Sequence, residues 1–536
     1  MDWNDPRELW FLTPDERGNP NTGLDRRRKD GRAYTEGNLA IALIHGANYF
    51  ARLLEVVRGL GSGDWIHFTD WRGDGDERLG GPGTEVVEIL AAAARRGVAV
   101  RGLVWRSHPD QAKFSEQESL HFSQHINKAG GEVLLDERVR QAGSHHQKLF
   151  LIRHPDNEDE DIAFVGGIDL CHSRHDDERH EGDHQAWDMN DAYGPRPAWH
   201  DIQLEVRGPA IGDLATTFRE RWDDPTPLDH RNPWRIAMAR RARQPRHPDP
   251  LPPMADDPRP AGPHAIQVLR TYPHKTRSPY PFAKQGERSI ARAYIKAIKR
   301  ARKLIYVEDQ YFWSEEVAKS LADALRATPG LRLIGLVPLV PEQKGLVSET
   351  PELLGQRKAW DIVRAAGGER VVLYGVENDM GRPIYIHAKA CIIDDVWAMV
   401  GSDNLNRRSW THDSELSCAV VDDTHDDREP TDPSGLGDGA RRFARELRLS
   451  LWREHLGAAA EGADLLDLDE GFALWATAAE KLEEWKRRSA GQRPSRVVRH
   501  EPPVVPRRHR VWAEPAYRLL VDPDGRPRRL RKEQTF

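Results

Sequence analysis

The chain has 536 residues, and its 79 lysines and arginines against 85 aspartates and glutamates leave a net charge of −6. This length allows roughly three domains, and the acidic balance excludes a general electrostatic attraction to nucleic acid or anionic lipid. Three scattered cysteines exclude a disulfide framework. The acidic start does not resemble a signal peptide and no apolar run could span a membrane, so we expect a cytoplasmic protein, although export by a specialised apparatus fits the same observations.

The same order of predicted elements occurs twice along the chain. A strand, a helix and a second strand are expected at 64–71, 84–97 and 98–105, and again at 303–313, 314–327 and 331–340. Ser314 is a suitable N-cap for the later helix. Such short strand, helix and strand units imply right-handed parallel crossovers. The chain is therefore predicted to be an α/β protein made of two similar halves.

Each half then carries a His-x-Lys sequence at the start of an apolar run, His146 with Lys148 and His387 with Lys389. Residues two apart in a strand project to the same face, so each imidazole is expected to lie beside its ammonium group. Each run leads to a second apolar strand that contains glycine near its end, at 162–170 and 397–405. One such pair alone most often marks an exposed polar face. The duplication is what favours a catalytic site.

Two imidazoles and two ammonium groups suit a phosphate diester. One imidazole can attack phosphorus while the other protonates the leaving alcohol, and the lysines balance charge on the nonbridging oxygens. Small residues after the second strands, Gly167 and Ser402 among them, would let backbone amides approach the phosphate. Asn404 adds an amide donor, and Asp169 holds the equivalent place in the first half. This chemistry requires no metal.

The second-half motif resembles that of the phospholipase D superfamily, in which His-x-Lys is followed at fixed spacing by Asp and then by Gly-Gly or Gly-Ser. The residues that fit it are His387, Lys389, Asp394, Gly401, Ser402 and Asn404. The segments "IYVEDQYF", "PAWHDIQLEVRGPA" and "LSLWREHLG" extend the resemblance over most of residues 40–460. It is closer to the eukaryotic-type lipid enzymes than to the small nucleases with a single motif.

This resemblance implies a fold of two α/β/α sandwich halves around a pseudo-twofold axis, with one shared active site. It also implies hydrolysis or transphosphatidylation of phosphatidylcholine-like lipids to phosphatidic acid through a phosphohistidine, with no cofactor. By the same resemblance His146 is the nucleophile and His387 the acid and then the base, an assignment that could be exchanged. The catalytic set implied by the resemblance is His146, Lys148, His387, Lys389 and Asp394.

The first half departs from the motif. Arg153 stands where the motif has Asp, and the connection from Lys148 to Gly166 is six residues longer than its counterpart in the second half. Asp159 and Asp156 are both candidates for the missing carboxylate. A histidine nucleophile also needs an acceptor for its far nitrogen, and the candidates for that role are Asp176, Asp413 and Glu415.

The expected organisation is a first half at 1–240, a Pro-rich linker at 241–262, a second half at 263–490 and a basic, Pro- and Arg-rich tail at 491–536. Within the tail, "YRLLVDPDGRPRRL" suggests a hairpin. The mixed His and carboxylate stretch 174–188 is irregularly spaced, which favours a solvated loop over a metal site. Some tryptophans near the motifs, Trp71, Trp187, Trp313 and Trp410, could form a lip for acyl chains.

The expected partner is a phospholipid at a membrane or micelle surface, met by a monomer through peripheral contact and without nucleic acid. One alternative is a phosphatidyl-transferring synthase, which needs only another alcohol acceptor. A second is a nucleic-acid phosphodiesterase, disfavoured by the acidic net charge and the absence of a basic stripe. A catalytically silent lipid-binding protein is a third, disfavoured because both His-x-Lys pairs are present.

Overall fold

The computed structural model describes residues 5–107, 116–228, 236, 245–488 and 491–536. Within these ranges the strands are β1 (Thr35–Ile44), β2 (Trp65–Asp70), β3 (Ala99–Trp105), β4 (Glu132–Asp136), β5 (Leu149–Arg153), β6 (Ile162–Gly166), β7 (Ala198–His200), β8 (Ile202–Arg207), β9 (His264–Tyr272), β10 (Glu287–Arg288), β11 (Leu304–Glu308), β12 (Arg332–Leu336), β13 (Val371–Val376), β14 (Ile384–Ile386), β15 (Ala390–Ile393), β16 (Trp397–Gly401), β17 (Glu415–Asp422) and β18 (Val497–His500).

The α-helices of the same ranges are α1 (Pro6–Trp10), α2 (Pro14–Arg17), α3 (Gly23–Arg26), α4 (Gly46–Gly59), α5 (Val86–Arg95), α6 (Glu116–Lys128), α7 (Ala210–Trp222), α8 (Ser289–Arg300), α9 (Glu315–Ala327), α10 (Leu346–Gly367), α11 (Arg407–Thr411), α12 (Arg442–Leu456), α13 (Leu468–Arg488), α14 (Arg507–Ala516) and α15 (Arg528–Glu533). A π-helical turn, Tyr517–Val521, continues α14. None of these described helices combines the length and the apolar character that crossing a membrane requires.

One mixed sheet runs through both halves. Its strand order is β18-β13-β12-β11-β15-β16-β17-β9-β1-β8-β6-β5-β2-β3-β4, with β10 added beside β9. The antiparallel pair β1 and β9 joins the halves at the centre. Outward from that pair, the first half follows β1, β8, β6, β5, β2, β3 and β4, and the second follows β9, β17, β16, β15, β11, β12 and β13. The predicted duplication is therefore present strand by strand, with β18 as an addition at one edge.

Both faces of the sheet are buried, which explains why its strands are continuous apolar runs rather than alternating ones. Leu149 and Leu151 of β5 pack into a core that both halves share, whereas Phe150 and Ile152 pack into a core of the first half alone. In β11, Tyr306 belongs to the shared core and Ile305 to a third core in the second half. The α/β/α layering expected from the sequence follows from this alternation.

The chain ends contribute more than the sequence predicts. Trp10 and Phe11 pack with α8 in the core of the second half, and β18 pairs with β13 at the sheet edge. The hairpin predicted within the tail is wrong: Tyr517–Val521 is helical and α15 follows it. The Tyr517 hydroxyl donates to the carbonyl of Trp313, a long-range contact that local turn chemistry cannot anticipate.

One strand ends earlier than predicted, and the linker is irregular over its described part. The predicted strand 303–313 ends at Glu308, because the Asp309 carboxylate accepts the amides of Tyr311 and Phe312 and closes a turn there. Residues 245–262 of the predicted linker contain no helix or strand, and residues 241–244 lie outside the described part of the chain.

Candidate active site

Both His-x-Lys pairs lie just ahead of the strands that were predicted to contain them. β5 begins at Leu149 and β15 at Ala390, so the pairs occupy extended segments outside the main sheet. They lie outside the sheet because their backbone amides bond to other segments of the chain. The amide of His146 donates to the carbonyl of Ser414 (2.9 Å), and the amide of His387 donates to the carbonyl of His200 (2.8 Å). Each segment therefore pairs with the opposite half of the chain.

Each histidine also takes its carboxylate from the opposite half. His146 Nδ1 lies 2.8 Å from Glu415 Oε2 at the start of β17, and His387 Nδ1 lies 2.6 Å from Asp201 Oδ2 just before β8. Because β8 and β17 are equivalent strands, the two contacts are related by the internal symmetry. A carboxylate at Nδ1 favours the tautomer whose Nε2 lone pair is free to attack or to accept a proton.

The lysines are buried beside their histidines. Lys148 forms an ion pair with Asp169 (3.1 Å) and donates to the carbonyl of His146 (3.1 Å). Lys389 donates to the carbonyl of His387 and to Gln310 Oε1 (3.2 Å). Held in this way, both ammonium groups stay close to the imidazoles that they accompany along the chain.

The two half-sites share one electrostatic environment. Burial lowers the pKa of His146, and among the charges that lower it further are Lys148 and, from the other half, Lys389. Burial likewise lowers the pKa of His387, with contributions from Lys389 and, from the other half, Lys148. Asp169 opposes the shift at both histidines. Each imidazole thus feels the cation of the opposite half, as groups around one phosphate should.

Burial also alters the acids and bases around the histidines. It raises the pKa of Glu415 to about 8, reinforced by Asp413, and raises the pKa of Asp201. Burial lowers the pKa of Lys389 to about 8, although Asp201 and Asp309 oppose that change. Burial in surroundings of low polarity therefore disfavours the charged forms of Glu415, Asp201 and Lys389. An incoming phosphate diester would add negative charge beside Lys389 and so favour its ammonium form.

A cavity of about 490 Å³ opens at His146. Its aromatic lining consists of two stacked pairs, Trp71 with Trp105 and Tyr311 with Trp313. Polar groups that face the same cavity include Asn404, Asp413 and Glu415. Trp71 and Trp313 thus lie where the sequence reading placed a lip for acyl chains. Trp187 instead stacks on two arginines, and Trp410 is fully buried in the core.

The residues expected to bind the phosphate have more specific contacts than predicted. The amides of Gly167 and Ser402 donate to the carbonyls of Ile202 and Leu416, so they are not free for a ligand. A Cβ at Gly167 would collide with the Asp201 carboxylate, which explains the need for glycine there. The Ser402 hydroxyl donates to Glu415 Oε2 (2.6 Å) and so holds the carboxylate of His146.

Asn404 and Asp169 differ although they occupy equivalent places. Asn404 Oδ1 is buried without a hydrogen-bond partner and Asn404 lines the cavity, which leaves its amide group available to a ligand. Asp169 is paired with Lys148, and although burial raises the pKa of its carboxyl, Lys148, a hydrogen bond with Asp70 and Arg174 together lower that pKa below its usual value. The first half therefore balances its lysine internally.

The structure does not bring Asp394 together with the two histidines, although the prediction grouped it with them. It lies at the far end of β15 from the histidine, and its carboxylate accepts the amides of Arg302, Lys303 and Leu304 at 2.7–2.9 Å. Its position thus fastens the start of β11. In the first half neither Asp159 nor Asp156 takes that role. Asp159 pairs with Arg259 at the surface.

The first half uses a different pair of contacts at the equivalent point. Arg153 is buried against Asp161 (2.5 Å), a residue that the motif comparison did not single out. His154 Nδ1 contacts Asp64 Oδ1 (2.9 Å) immediately before β2. In the second half the acceptor carboxylate, Asp394, follows β15, whereas in the first half the acceptor, Asp64, precedes β2. The contact between His154 and Asp64 thus joins the end of β5 to the start of β2 without the motif aspartate.

Of the three candidate carboxylates, Glu415 contacts a catalytic histidine. Asp413 instead pairs with Arg408 (2.6 Å), and Asp176 accepts the amide of Trp199 (2.7 Å). The partner of His387, Asp201, was missed. The available signal was its place in the internal repeat, since Asp201 and Glu415 both stand at the start of the strand that follows the glycine-ended strand.

Comparison with known proteins places these features in a family. The model described as "Phospholipase D" matches residues 76–324 and 375–488, and the one described as "Cardiolipin synthase, PLD-like domain" matches residues 294–428. A curated relative named phospholipase D alpha 1, from Ricinus communis, is 25% identical over 526 residues, covering 76% of this chain and 62% of that protein.

Two further proteins show similarity to the chain. A protein named phospholipase D A, from Dictyostelium discoideum, is 28% identical over 389 residues, covering 59% of this chain and 27% of that protein. Among solved structures, a phosphatidylserine synthase of Haemophilus influenzae Rd KW20 shares 13% identity with a TM-score of 0.49, over 73% of this chain and 85% of that one. The chain spans about three fifths of the length of the plant relatives that it matches.

Proposed function

The chain belongs to the phospholipase D family, and on that premise we propose that it cleaves phosphatidylcholine-like phospholipids to phosphatidic acid and the headgroup alcohol. The observation that carries the proposal is the crossed arrangement of the site, in which each histidine is paired with a carboxylate of the other half beside two buried lysines. Water as the acceptor gives hydrolysis, and an alcohol gives transphosphatidylation.

His146 is the proposed nucleophile because it lines the cavity, and its side chain is 15% exposed against 6% for that of His387. In the first step His146 Nε2 forms a bond to phosphorus while the bond from phosphorus to the headgroup oxygen breaks. His387 transfers a proton to that oxygen, so the headgroup leaves as an alcohol rather than as an alkoxide. The Glu415 carboxylate stabilises the positive charge that develops on the phosphorylated imidazole of His146.

In the second step an acceptor replaces the histidine. His387, now without its proton, takes a proton from water or from an alcohol, and the acceptor oxygen attacks phosphorus. The bond from phosphorus to His146 Nε2 breaks, which releases phosphatidic acid or a new phosphatidyl ester. Asp201 at Nδ1 holds His387 in the orientation needed for both proton transfers. Lys148 and Lys389 balance charge on the nonbridging oxygens in both steps.

The surface near the cavity supports a lipid substrate. Leu520 and Val521 lie on its lining, and the continuous helical segment 507–521 that carries them also exposes Val511, Trp512 and Leu519. We define Val511, Trp512, Leu519 and Leu520 as the apolar rim; Val511 is 80% exposed and Leu519 69%. Exposed apolar side chains of this size next to a cavity are typical of binding surfaces. The rim is therefore the proposed point of peripheral contact with a phospholipid surface.

The central test is alcohol transfer. The purified protein is incubated with labelled phosphatidylcholine in excess ethanol, and phosphatidylethanol is measured. The proposal requires formation of this product by the wild type and its absence with His146→Ala and His387→Ala. Cleavage of plasmid DNA in the same buffer, without any phosphatidylethanol, would instead identify a nucleic-acid phosphodiesterase.

A second test addresses the lipid surface. The double variant Val511→Ser/Leu519→Ser, which spares the cavity lining, should lower turnover of phosphatidylcholine in vesicles by about tenfold, because it removes apolar side chains that would contact the bilayer. Turnover of a short-chain, monomeric phosphatidylcholine should be unchanged, because the reacting groups are intact. Equal losses on both substrates would show that the rim supports the fold rather than membrane contact.

A further inference from the structure

A second group of buried imidazoles lies behind His387. Its members are His45, His180 and His200 from the first half and Glu454 from α12 of the second, and one potential ligand atom from each lies within 4.8 Å of all the others. The three histidines are buried and the side chain of Glu454 is 12% exposed. The carbonyl of His200 accepts the amide of His387, so this cluster adjoins the catalytic segment without being part of it.

The three contacts of Glu454 are close to the separations expected between ligands of a tetrahedral metal ion. Glu454 Oε2 lies 3.0 Å from His45 Nε2, and Glu454 Oε1 lies 3.0 Å from His180 Nε2 and 3.2 Å from His200 Nδ1. Bonds of about 2.0–2.1 Å to a tetrahedral zinc ion separate its ligand atoms by roughly 3.3 Å. The three contacts therefore need to open by only a few tenths of an ångström.

The groups around His200 fix which of its nitrogens faces the cluster. His200 Nε2 lies 2.7 Å from Glu308 Oε2. Glu308 also accepts the Tyr306 hydroxyl (2.6 Å) and contacts His455 Nε2 (2.9 Å). An imidazole that binds a metal commonly donates its other N–H to such a carboxylate. With Nε2–H directed at Glu308, His200 presents the lone pair of Nδ1 to the site.

The charge of the cluster also favours a cation. Glu308 is fully buried and Glu454 nearly so, and within the described ranges the ion-pair partners found for these two carboxylates are histidines alone. A divalent cation would supply two positive charges against two carboxylates and leave the imidazoles neutral.

Two of the histidines sit on unusual backbone. His45 has φ of 72° and His180 has φ of 54°, a region that residues other than glycine rarely adopt. Such conformations persist where the surroundings over-determine them, often at ligand sites. A cavity of about 480 Å³ reaches Glu454 from the side of Arg453 and Arg496. It provides a route by which an ion could enter.

We propose that His45, His180, His200 and Glu454 bind a divalent cation of the zinc class, which fastens α12 of the second half to the first half behind the active site. Three imidazole nitrogens and one carboxylate oxygen form a set that zinc accepts, whereas calcium and magnesium prefer oxygen ligands. The sequence reading favoured no metal because the stretch 174–188 is irregular. It supplies just His180, and the other ligands come from distant segments.

The test is metal content rather than activity, so its outcome is independent of the proposed phospholipase reaction. The full chain, purified without a histidine tag and stripped with a chelator, is incubated with Zn²⁺, passed through gel filtration and analysed by mass spectrometry for bound zinc. We expect one zinc per chain, together with a rise in Tm. Glu454→Gln and His180→Asn should each weaken binding by about 100-fold or more and abolish the rise in Tm.

His154→Asn is the matched control, because His154 also pairs with a carboxylate, Asp64, but lies outside the cluster. It should retain zinc like the wild type. If the cluster variants fail to fold, the wild type loaded with Co²⁺ gives a second measurement, since a four-coordinate site produces intense visible absorption. Stoichiometric zinc loss confined to cluster variants, or that absorption, supports the proposal. A wild type that binds no zinc, cluster variants that bind zinc normally, or cobalt without that absorption would overturn it.

Discussion

The two half-sites are built from equivalent strands, yet they differ in exposure and in what holds their lysines. His146 lines the cavity and its lysine is paired with Asp169, whereas His387 is more deeply buried and packs against Trp199 with ring centroids 4.9 Å apart. Asn404, in the place of Asp169, leaves Lys389 without an equivalent carboxylate. The more open histidine suits attack on a bound lipid, and the more enclosed one suits proton transfer.

The difference also shows how a duplicated chain can specialise. The half that lost the motif aspartate, with Arg153 in its place, kept the histidine that faces the cavity. The half that retained Asp394 uses it to fasten β11, away from the chemistry. In the second half the motif aspartate thus supports the framework, and the groups that differ between the halves at the site are those that contact the histidines and lysines.

The strongest way to separate the half-sites is to remove each histidine. His146→Ala and His387→Ala should each lower kcat by about 10³-fold or more, because one removes the nucleophile and the other the proton donor. With labelled lipid and a leaving group that needs no protonation, His387→Ala should accumulate covalently labelled protein and His146→Ala should not. Labelling of His146→Ala alone would exchange the two roles. His154→Asn should match the wild type in both assays.

The next largest effect is expected at Glu415 and Asp201, the carboxylates that each contact a histidine of the opposite half. Glu415→Gln and Asp201→Asn should each reduce kcat by about 10²-fold with little change in KM, because an amide can donate to Nδ1 and so favour the wrong tautomer. The pairing is tested by double variants: Glu415→Gln should cost little more in a His146→Ala background, but should remain costly in His387→Ala if residual turnover is measurable. The reverse pattern would contradict the assignment of partners across the halves.

Substitution of Asp394 should lower the stability of the protein rather than its turnover. Asp394→Ala leaves three buried amides without their acceptor and should lower the free energy of unfolding by roughly 2–4 kcal/mol. The kcat of the folded protein should stay within about twofold of the wild type. Denaturant unfolding and kinetics on the same preparation check both values. A large loss of kcat with normal stability would return Asp394 to the catalytic set.

The smallest predicted effect concerns pH. Burial gives Lys389 a pKa of about 8, so its positive charge is present below that pH and is lost as the pH rises through it. The value of kcat/KM should therefore fall above about pH 8. Asp309→Asn removes a charge that supports the ammonium form, and should move this fall to lower pH by less than about one unit. Asp159→Asn, at the surface, should leave the profile unchanged.

Much of the fold could be predicted from the sequence because its signals are local. Apolar runs, helical spacing and the internal repeat identify most strands and helices, with errors of a few residues at their ends. The strand prediction for His146 and His387 was wrong because those segments pair with Ser414 and His200 of the opposite half. Pairing between such distant segments leaves no local pattern.

The site was partly predictable for the same reason. The His-x-Lys pairs are visible as a motif, and Glu415 was among the candidates for an orienting carboxylate. Asp201 was missed because nothing adjacent in sequence connects it to His387. Gly167 and Ser402 were assigned to the phosphate since small residues commonly permit its approach. In the structure they make room for Asp201 and hold Glu415 instead.

The segment 245–262 has no helix or strand and joins two parts of the chain, each of which supplies one partner to the His146–Glu415 contact and one to the His387–Asp201 contact. A chain cut within that segment would yield fragments of which neither could assemble a complete pair. Turnover would then require the two fragments to associate, and the amount of product would report the extent of their association. The protein therefore offers a natural point of division for a proximity reporter, in which two fused partners are detected through a lipid product.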